Sequence, residues 1–174
     1  GQRYVSVISA AARRMGRLID DLLSFSRMGR TEMHLAMVDQ STLVADVIRE
    51  GGFDRTEPPV DWHIAPLPTL RADATMLRQV WINLISNAVK YSAKVPHPRI
   101  EIGVRPDASA TECVFYVQDN GAGFDMQYVA QLFGVFQRLH ADAEFEGTGI
   151  GLANVRRIVT RHGGRVWAEG CVGR

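Results

Sequence analysis

With 174 residues, 46% of them hydrophobic and 22% charged, the chain can close one good core, or one domain with an appendage. Twenty basic against nineteen acidic side chains leave a net charge of +1, which argues against a nucleic-acid surface as the chain's main business. No apolar run nears the roughly 18 residues of a membrane span, no signal-peptide pattern opens the chain, and Cys113 and Cys171 make neither a disulfide framework nor a zinc site. The expectation is a reduced, cytoplasmic, soluble domain without direct membrane contact, with Cys113 as a small core residue.

Residues 1–28 read as a separate unit. Tyr4, Ile8, Ala11, Met15, Leu18, Leu22 and Phe25 recur in alternating steps of four and three, and Val5, Val7, Ala12 and Ile19 widen that stripe. The pattern predicts a bundle or dimer helix whose partner precedes residue 1; the alternative is an amphipathic helix packed on its own domain. Residues 29–174 form a mixed α/β unit. Ser41 is a candidate cap for a short helix, "STLVADVIRE", that stops at Gly51-Gly52, and "VDWHIA" alternates as a strand does. "PLPTLRAD" leads to another edge. Asp73 caps a long helix, "ATMLRQVWINLISNAVKYS", whose buried face is expected at Leu77, Trp81, Leu84, Ile85 and Ala88. "IEIGVR" and "ECVFYVQD" read as strands, "GLANVRRIVTRH" as a helix ended by Gly163-Gly164, and "RVWAEG" as a final strand.

Three stretches carry chemistry. On the long helix, Asn83 and Asn87 stand four apart with Lys90 and Tyr91 just beyond. Asparagine is a poor helix-interior residue, so two amides stacked on one flank need a reason. A hard cation such as magnesium takes a neutral amide oxygen and completes its shell with phosphates and water. A lysine one turn on neutralises phosphate charge, and a tyrosine can lie over a sugar. The plain alternative is a pair of solvated amides.

The second stretch, "DNGAGF", follows the apolar run "CVFYV". A carboxylate at the end of a buried strand can accept a proton from an exocyclic amine such as adenine's, while an unpaired buried charge rejects other bases. Gly121 and Gly123 clear space for a flat ring. A hairpin turn is the competing reading, but "FDMQYVAQLF" looks like a helix start with no returning strand. The third, "GTGIGL", puts Gly147, Thr148, Gly149, Gly151 and Leu152 at a helix N-terminus, where main-chain N–H groups and the dipole favour phosphate. Glu169 falls 22 residues after Gly147, yet no hydrophobic strand precedes the glycines as a dinucleotide fingerprint requires. Between these stretches, Phe133, Phe136 and Leu139 have the spacing of a mobile lid or of a surface helix, and Arg138 can reach a phosphate. Arg156, Arg157 and Arg161 read as a charged helix face, and His162 as a helix C-terminal residue.

In this order and separation the stretches resemble the ATP-binding domain of sensor histidine kinases, in the gyrase, Hsp90 and MutL ATPase superfamily. "NLISNAVKY" is similar to that family's N box, "DNGAGF" to its G1 box, "LFGVFQRL" to its F box and "GTGIGL" to its G2 box, with "VFQRLH" and "GTGIGLANVRRIVTRHGGRVWAEG" particularly similar to phytochrome-type and related kinases. "RLIDDLLSFSRMGR" resembles the second helix of the dimerisation and histidine-phosphotransfer hairpin. The resemblance implies a two-layer α/β sandwich of the Bergerat type, preceded by one long dimerisation helix. It implies ATP and magnesium as ligands, with Asn87 holding the metal and Asn83 assisting, and Lys90 and Tyr91 on phosphate and ribose. Asp119 would read the adenine amine with Gly121 and Gly123 beside the ring, and Gly147, Gly149 and Gly151 would shape the lid hinge and phosphate-facing helix end. Phe136, Arg138, Thr148 and Leu152 complete the implied ATP-binding set.

The implied reaction passes the γ-phosphoryl group to a histidine and then to an aspartate of a response-regulator receiver domain. The implied partners are that receiver domain and the chain's own phosphotransfer helix in a second protomer. None of His34, His63, His97, His140 and His162 stands in the family's H box, so the phosphoacceptor is expected upstream of residue 1, and the last strand of the family fold is expected beyond Arg174. A non-transferring ATP sensor or regulatory ATPase of the same superfamily is the alternative.

Overall fold

The computed structural model describes residues 4–5, 8–9, 11–12, 15–16, 18–19, 22–23, 26, 32–106, 112–137 and 147–172. The residues described before 27 are helical, and Tyr4, Ile8, Met15 and Leu22 of the expected seam are exposed, as are Val5, Ile19 and Leu23. The apolar stripe therefore lies on the surface of the single chain. Phe25 falls outside the described residues.

Strand β1 (Leu35–Asp39) pairs antiparallel with β3 (Thr69–Asp73), with Leu35 opposite Asp73. A second sheet has the order β2 (Asp61–Ile64), β4 (Arg99–Pro106), β5 (Cys113–Asp119), parallel between β2 and β4 and antiparallel between β4 and β5. Side chains alternate across a strand, so Ile100 and Ile102 point into the core while Arg99 and Glu101 take the other face. Helix α1 (Gln40–Glu50) and helix α2 (Ala74–Ser92) cover the inner side: Val44, Val47, Trp81, Ile85 and Ala88 pack with Ile100 and Ile102 in one buried cluster. This is the expected two-layer α/β arrangement.

Local chemistry differs from expectation at four places. The cap of α1 is Asp39, which accepts from the Ser41 N–H at 3.0 Å and the Thr42 hydroxyl at 2.7 Å. Ser41 instead accepts from the Leu67 N–H at 2.9 Å and so fastens α1 to the β2–β3 connection. The long helix has two buried strips where one was expected. Trp81, Ile85 and Ala88 face the sheet, while Met76 and Val80 pack on Val155 and Ile158 of helix α3 (Gly151–Arg161), leaving Leu77 and Leu84 half-buried. Cys113 is exposed because it lies opposite Pro106, at the far end of the β4–β5 pair.

The fourth difference concerns "RVWAEG", which forms no strand. An ion pair at 3.0 Å between Arg165 and Glu112 and the approach of Gly170 to the Phe124 ring hold this segment near β5, without ladder hydrogen bonds among the described residues. β-propensity reflects fit to a pleated neighbour, and Trp167, 52% exposed, has no such surface to fill.

Gln40 is 1% exposed, and its Oε1 accepts the indole N–H of Trp81 at 3.0 Å while its Nε2 donates to the Val38 carbonyl at 3.1 Å. Replacing it with leucine leaves the indole donor orphaned in the core. Gln40→Leu is expected to lower stability by about 1–3 kcal/mol in urea unfolding with an unchanged denaturant slope.

Candidate functional site: α2 and its glycine-rich surroundings

Asp73 starts α2 by accepting the Met76 N–H at 3.0 Å, and the helix then runs unbroken through both asparagines to Ser92. Asn83 donates from Nδ2 to the Gln79 carbonyl at 2.9 Å, which turns its Oδ1 outward. Gly151, the first residue of α3, sits against that oxygen: a Cβ built there would lie 3.0 Å from Asn83 Oδ1. One turn on, Asn87 is half-buried and its amide makes no side-chain hydrogen bond among the described residues. Lys90 places its Nζ 4.3 Å from the Tyr91 ring centroid and beside Gly147, where a Cβ would come within 3.3 Å of it.

The second stretch closes on the C-terminal end of the same helix. The Ala122 N–H donates to the Tyr91 carbonyl at 3.1 Å, and a side chain on Gly121 would strike that carbonyl at 2.5 Å. Glycine is needed at 121 because two stretches of backbone touch. Gly123 has φ of +63°, and a Cβ there would lie 1.9 Å from the Cys171 carbonyl, so its bareness also serves the chain's own return. Tyr91 thus contributes a main-chain carbonyl to the site, a role that no side-chain pattern signals. Asn120 was also left without a role by its sequence context. It accepts the Arg99 N–H at 2.8 Å and donates to the His97 carbonyl at 2.9 Å, tying the end of β5 to the start of β4.

Asp119 is half-buried at the end of β5, with Oδ1 accepting the Gly121 N–H at 2.9 Å. Burial pushes its carboxyl above the ordinary carboxylate range, and that one hydrogen bond pulls only partly the other way. An added donor would relieve it. Phe136, in the left-handed region at φ of +61° and 56% exposed, donates its N–H to the Gly149 carbonyl at 2.9 Å, joining the end of the "LFGVF" segment to the glycine loop. Leu152 is half-buried against the Met76–Val80 strip, and Thr148 is half-buried. Arg138 and Leu139 lie outside the described residues.

The structure therefore brings Asn83, Lys90, Tyr91, Asp119, Gly121, Gly147 and Gly151 into one chain of contacts along α2. Among the described residues no three His, Cys, Asp or Glu side chains are grouped to hold a metal. A cation here would be held by the amide of Asn87, which has no hydrogen-bond partner among the described residues, and by ligand and water oxygens, as suits magnesium.

Amides and glycines along one side of α2, with a half-buried strand-end carboxylate at its C-terminal end, are groups of the kind that suit a purine nucleotide. Residues 72–174 match the family described as "Histidine kinase-, DNA gyrase B-, and HSP90-like ATPase", and the chain belongs to that family. Its relatives place it with the histidine-kinase ATP-binding catalytic domains. It is 35% identical over 98% of its length to the methanogenesis regulatory histidine kinase FilI of Methanothrix harundinacea, and 37% identical over 91% to cyanobacterial phytochrome A of a Nostoc species. It spans only 19% and 20% of those proteins. The full-length ShkA structure in complex with AMPPNP superimposes with a TM-score of 0.76 at 29% identity, covering 99% of this chain and 36% of ShkA. The nucleotide-free ThkA catalytic domain has the same fold, with a TM-score of 0.67 at 22% identity over 81% of this chain and 90% of that one. No helix among the described residues is long and apolar enough to cross a membrane.

Proposed function

We propose that this chain binds magnesium-ATP between α2 and the glycine-rich approach to α3, and donates the γ-phosphoryl group to a histidine of a phosphotransfer helix, for relay to a response-regulator aspartate. The observation that carries this reading is the convergence of Asn83, Lys90, Gly147 and Gly151 on one side of α2 and of Asp119 and Gly121 at its end. ShkA, similar over almost the whole chain, was solved with the ATP analogue AMPPNP bound, which supports ATP as the nucleotide.

Each residue then has a task. Asp119 accepts a hydrogen bond from the adenine amine and so exchanges its strained burial for a paired one. Asn87, helped by Asn83, holds magnesium, which when bound neutralises charge on the phosphate oxygens. Lys90 adds a point charge at the same phosphates, and Tyr91 lies toward the ribose. Gly147, Gly149 and Gly151 present main-chain N–H groups to the phosphates where α3 begins, with Thr148 and Leu152 between them and Phe136 and Arg138 at the lid. No histidine of this chain stands in a phosphoacceptor motif, so the acceptor comes from a phosphotransfer helix of the kinase dimer, and the cognate partner downstream is a receiver domain.

Mixing the protein with magnesium-ATP labelled in the γ position and a separately made histidine-bearing hairpin from a related kinase tests this directly. Label on the hairpin is the expected result. An unlabelled hairpin beside demonstrated ATP binding overturns the transfer step, and free phosphate released without any acceptor favours a regulatory ATPase instead.

A further inference from the structure

The proposed nucleotide site depends on how α2 and α3 stand relative to one another. The two helices meet at both ends of one interval. At one end, Gly151 lies against Asn83. At the other, His162, which closes α3, reaches the first turn of α2: the Asp73 N–H donates to its Nε2 at 3.1 Å, and its Nδ1 lies 2.8 Å from the Ile158 carbonyl. A main-chain N–H can only donate and a carbonyl can only accept. The two bonds together therefore require a neutral ring with the proton on Nδ1.

Asp73 is itself immobilised. It is 6% exposed, and its carboxylate accepts the Met76 N–H through Oδ1 at 3.0 Å and the His34 N–H through Oδ2 at 2.9 Å. Ten residues separate Asp73 from Asn83 and eleven separate Gly151 from His162, roughly 15 and 17 Å of helix at about 1.5 Å per residue. The pair is thus antiparallel and meets at matching positions, in close approach at Gly151 and hydrogen-bonded at His162, with Met76, Val80, Val155 and Ile158 buried between. Apolar packing is non-directional and tolerates sliding along the helix axes, whereas a hydrogen bond does not.

We propose that His162 is a positioning residue for the nucleotide site, its Nδ1–H tautomer locking α3 to the start of α2 and so setting the separation of the Asn83 and Asn87 amides from the approach to α3. This rests on the function proposed above.

The test is nitrogen-15 NMR of the protein at neutral pH together with calorimetry of magnesium-ATP binding. The imidazole nitrogens of His162 should show the Nδ1–H neutral form. His162→Phe keeps the ring's bulk without either hydrogen bond. It should retain its circular dichroism and a cooperative unfolding transition, shift the amide signals of Asn83 and Gly151 about 15 Å away, and bind magnesium-ATP about tenfold more weakly. His162→Gln, with one donor and one acceptor, should recover part of the loss. An Nε2–H tautomer overturns the proposal, as does a folded His162→Phe protein with the parent's Asn83 and Gly151 signals and affinity. If His162→Phe does not fold, the tautomer and the glutamine variant decide. A parent protein that binds no magnesium-ATP sinks the proposed function, and the lock is then judged by the tautomer and the two amide signals alone.

Discussion

Asn87→Ala is expected to weaken magnesium-dependent ATP binding by about a hundredfold or more while leaving the protein as stable as the parent, or slightly more so. The two halves of this expectation have separate causes. The Asn87 amide is half-buried on α2 and makes no side-chain hydrogen bond among the described residues, so its removal breaks no such bond. Alanine is the better helix former at an interior position by roughly 0.5 kcal/mol. An interior asparagine that disfavours its own helix and makes no side-chain hydrogen bond among the described residues fits the proposed role as a ligand to the cation. Calorimetry with and without magnesium, beside urea unfolding of the same variant, reads both effects. Unaltered magnesium-dependent affinity would remove Asn87 from the cation site, and a marked loss of stability would mean that the amide has a structural partner.

The second large effect belongs to Asp119→Asn, expected to reduce discrimination between ATP and GTP by about tenfold or more while stabilising the nucleotide-free protein at neutral pH. Desolvation raises the Asp119 carboxyl above its ordinary value of 3.8. The folded chain then holds this proton more tightly than the unfolded chain does. Between 3.8 and the raised folded value the native state binds more protons, so this group's contribution to stability falls as pH climbs through that window and stays unfavourable above it. Asparagine is neutral throughout and removes that slope, though its amide no longer offers the full charge to an adenine amine. In the parent, ATP should bind more tightly to the ionised carboxylate, so affinity rises as pH climbs toward and through the raised folded value. Calorimetry in buffers of different ionisation enthalpy would register the released protons. A variant that keeps the parent's preference for ATP over GTP refutes the adenine role.

The legibility of the site in the sequence was uneven, for physical reasons. Asn83, Asn87 and Lys90 could be placed on one flank because helical spacing alone dictates which residues share a face. Asp73 could be identified as a cap from its position before an apolar-periodic run, whereas Asp39 and Ser41 are both competent caps two residues apart, and only the Leu67 main chain decides between them. The second buried strip of α2, at Met76 and Val80, was hidden because a helix covered on two sides shows no single apolar face. The carbonyl of Tyr91 and the side-chain bonds of Asn120 and His162 join residues 31, 21 and 89 positions apart, and nothing local encodes such meetings.

By itself, the sequence determined the succession of the long helix, the β4–β5 pair and the last helix, the chemical types available there, and the family to which the chain belongs, because spacing, capping and glycine placement act over a few residues. The tertiary structure alone decided that "RVWAEG" would run beside the sheet without joining it, that Gly123 would face the Cys171 carbonyl, and that two helices would be pinned at His162. These outcomes depend on which distant backbone groups find a partner at hydrogen-bond distance, a condition set by packing of the whole fold and by no stretch of it.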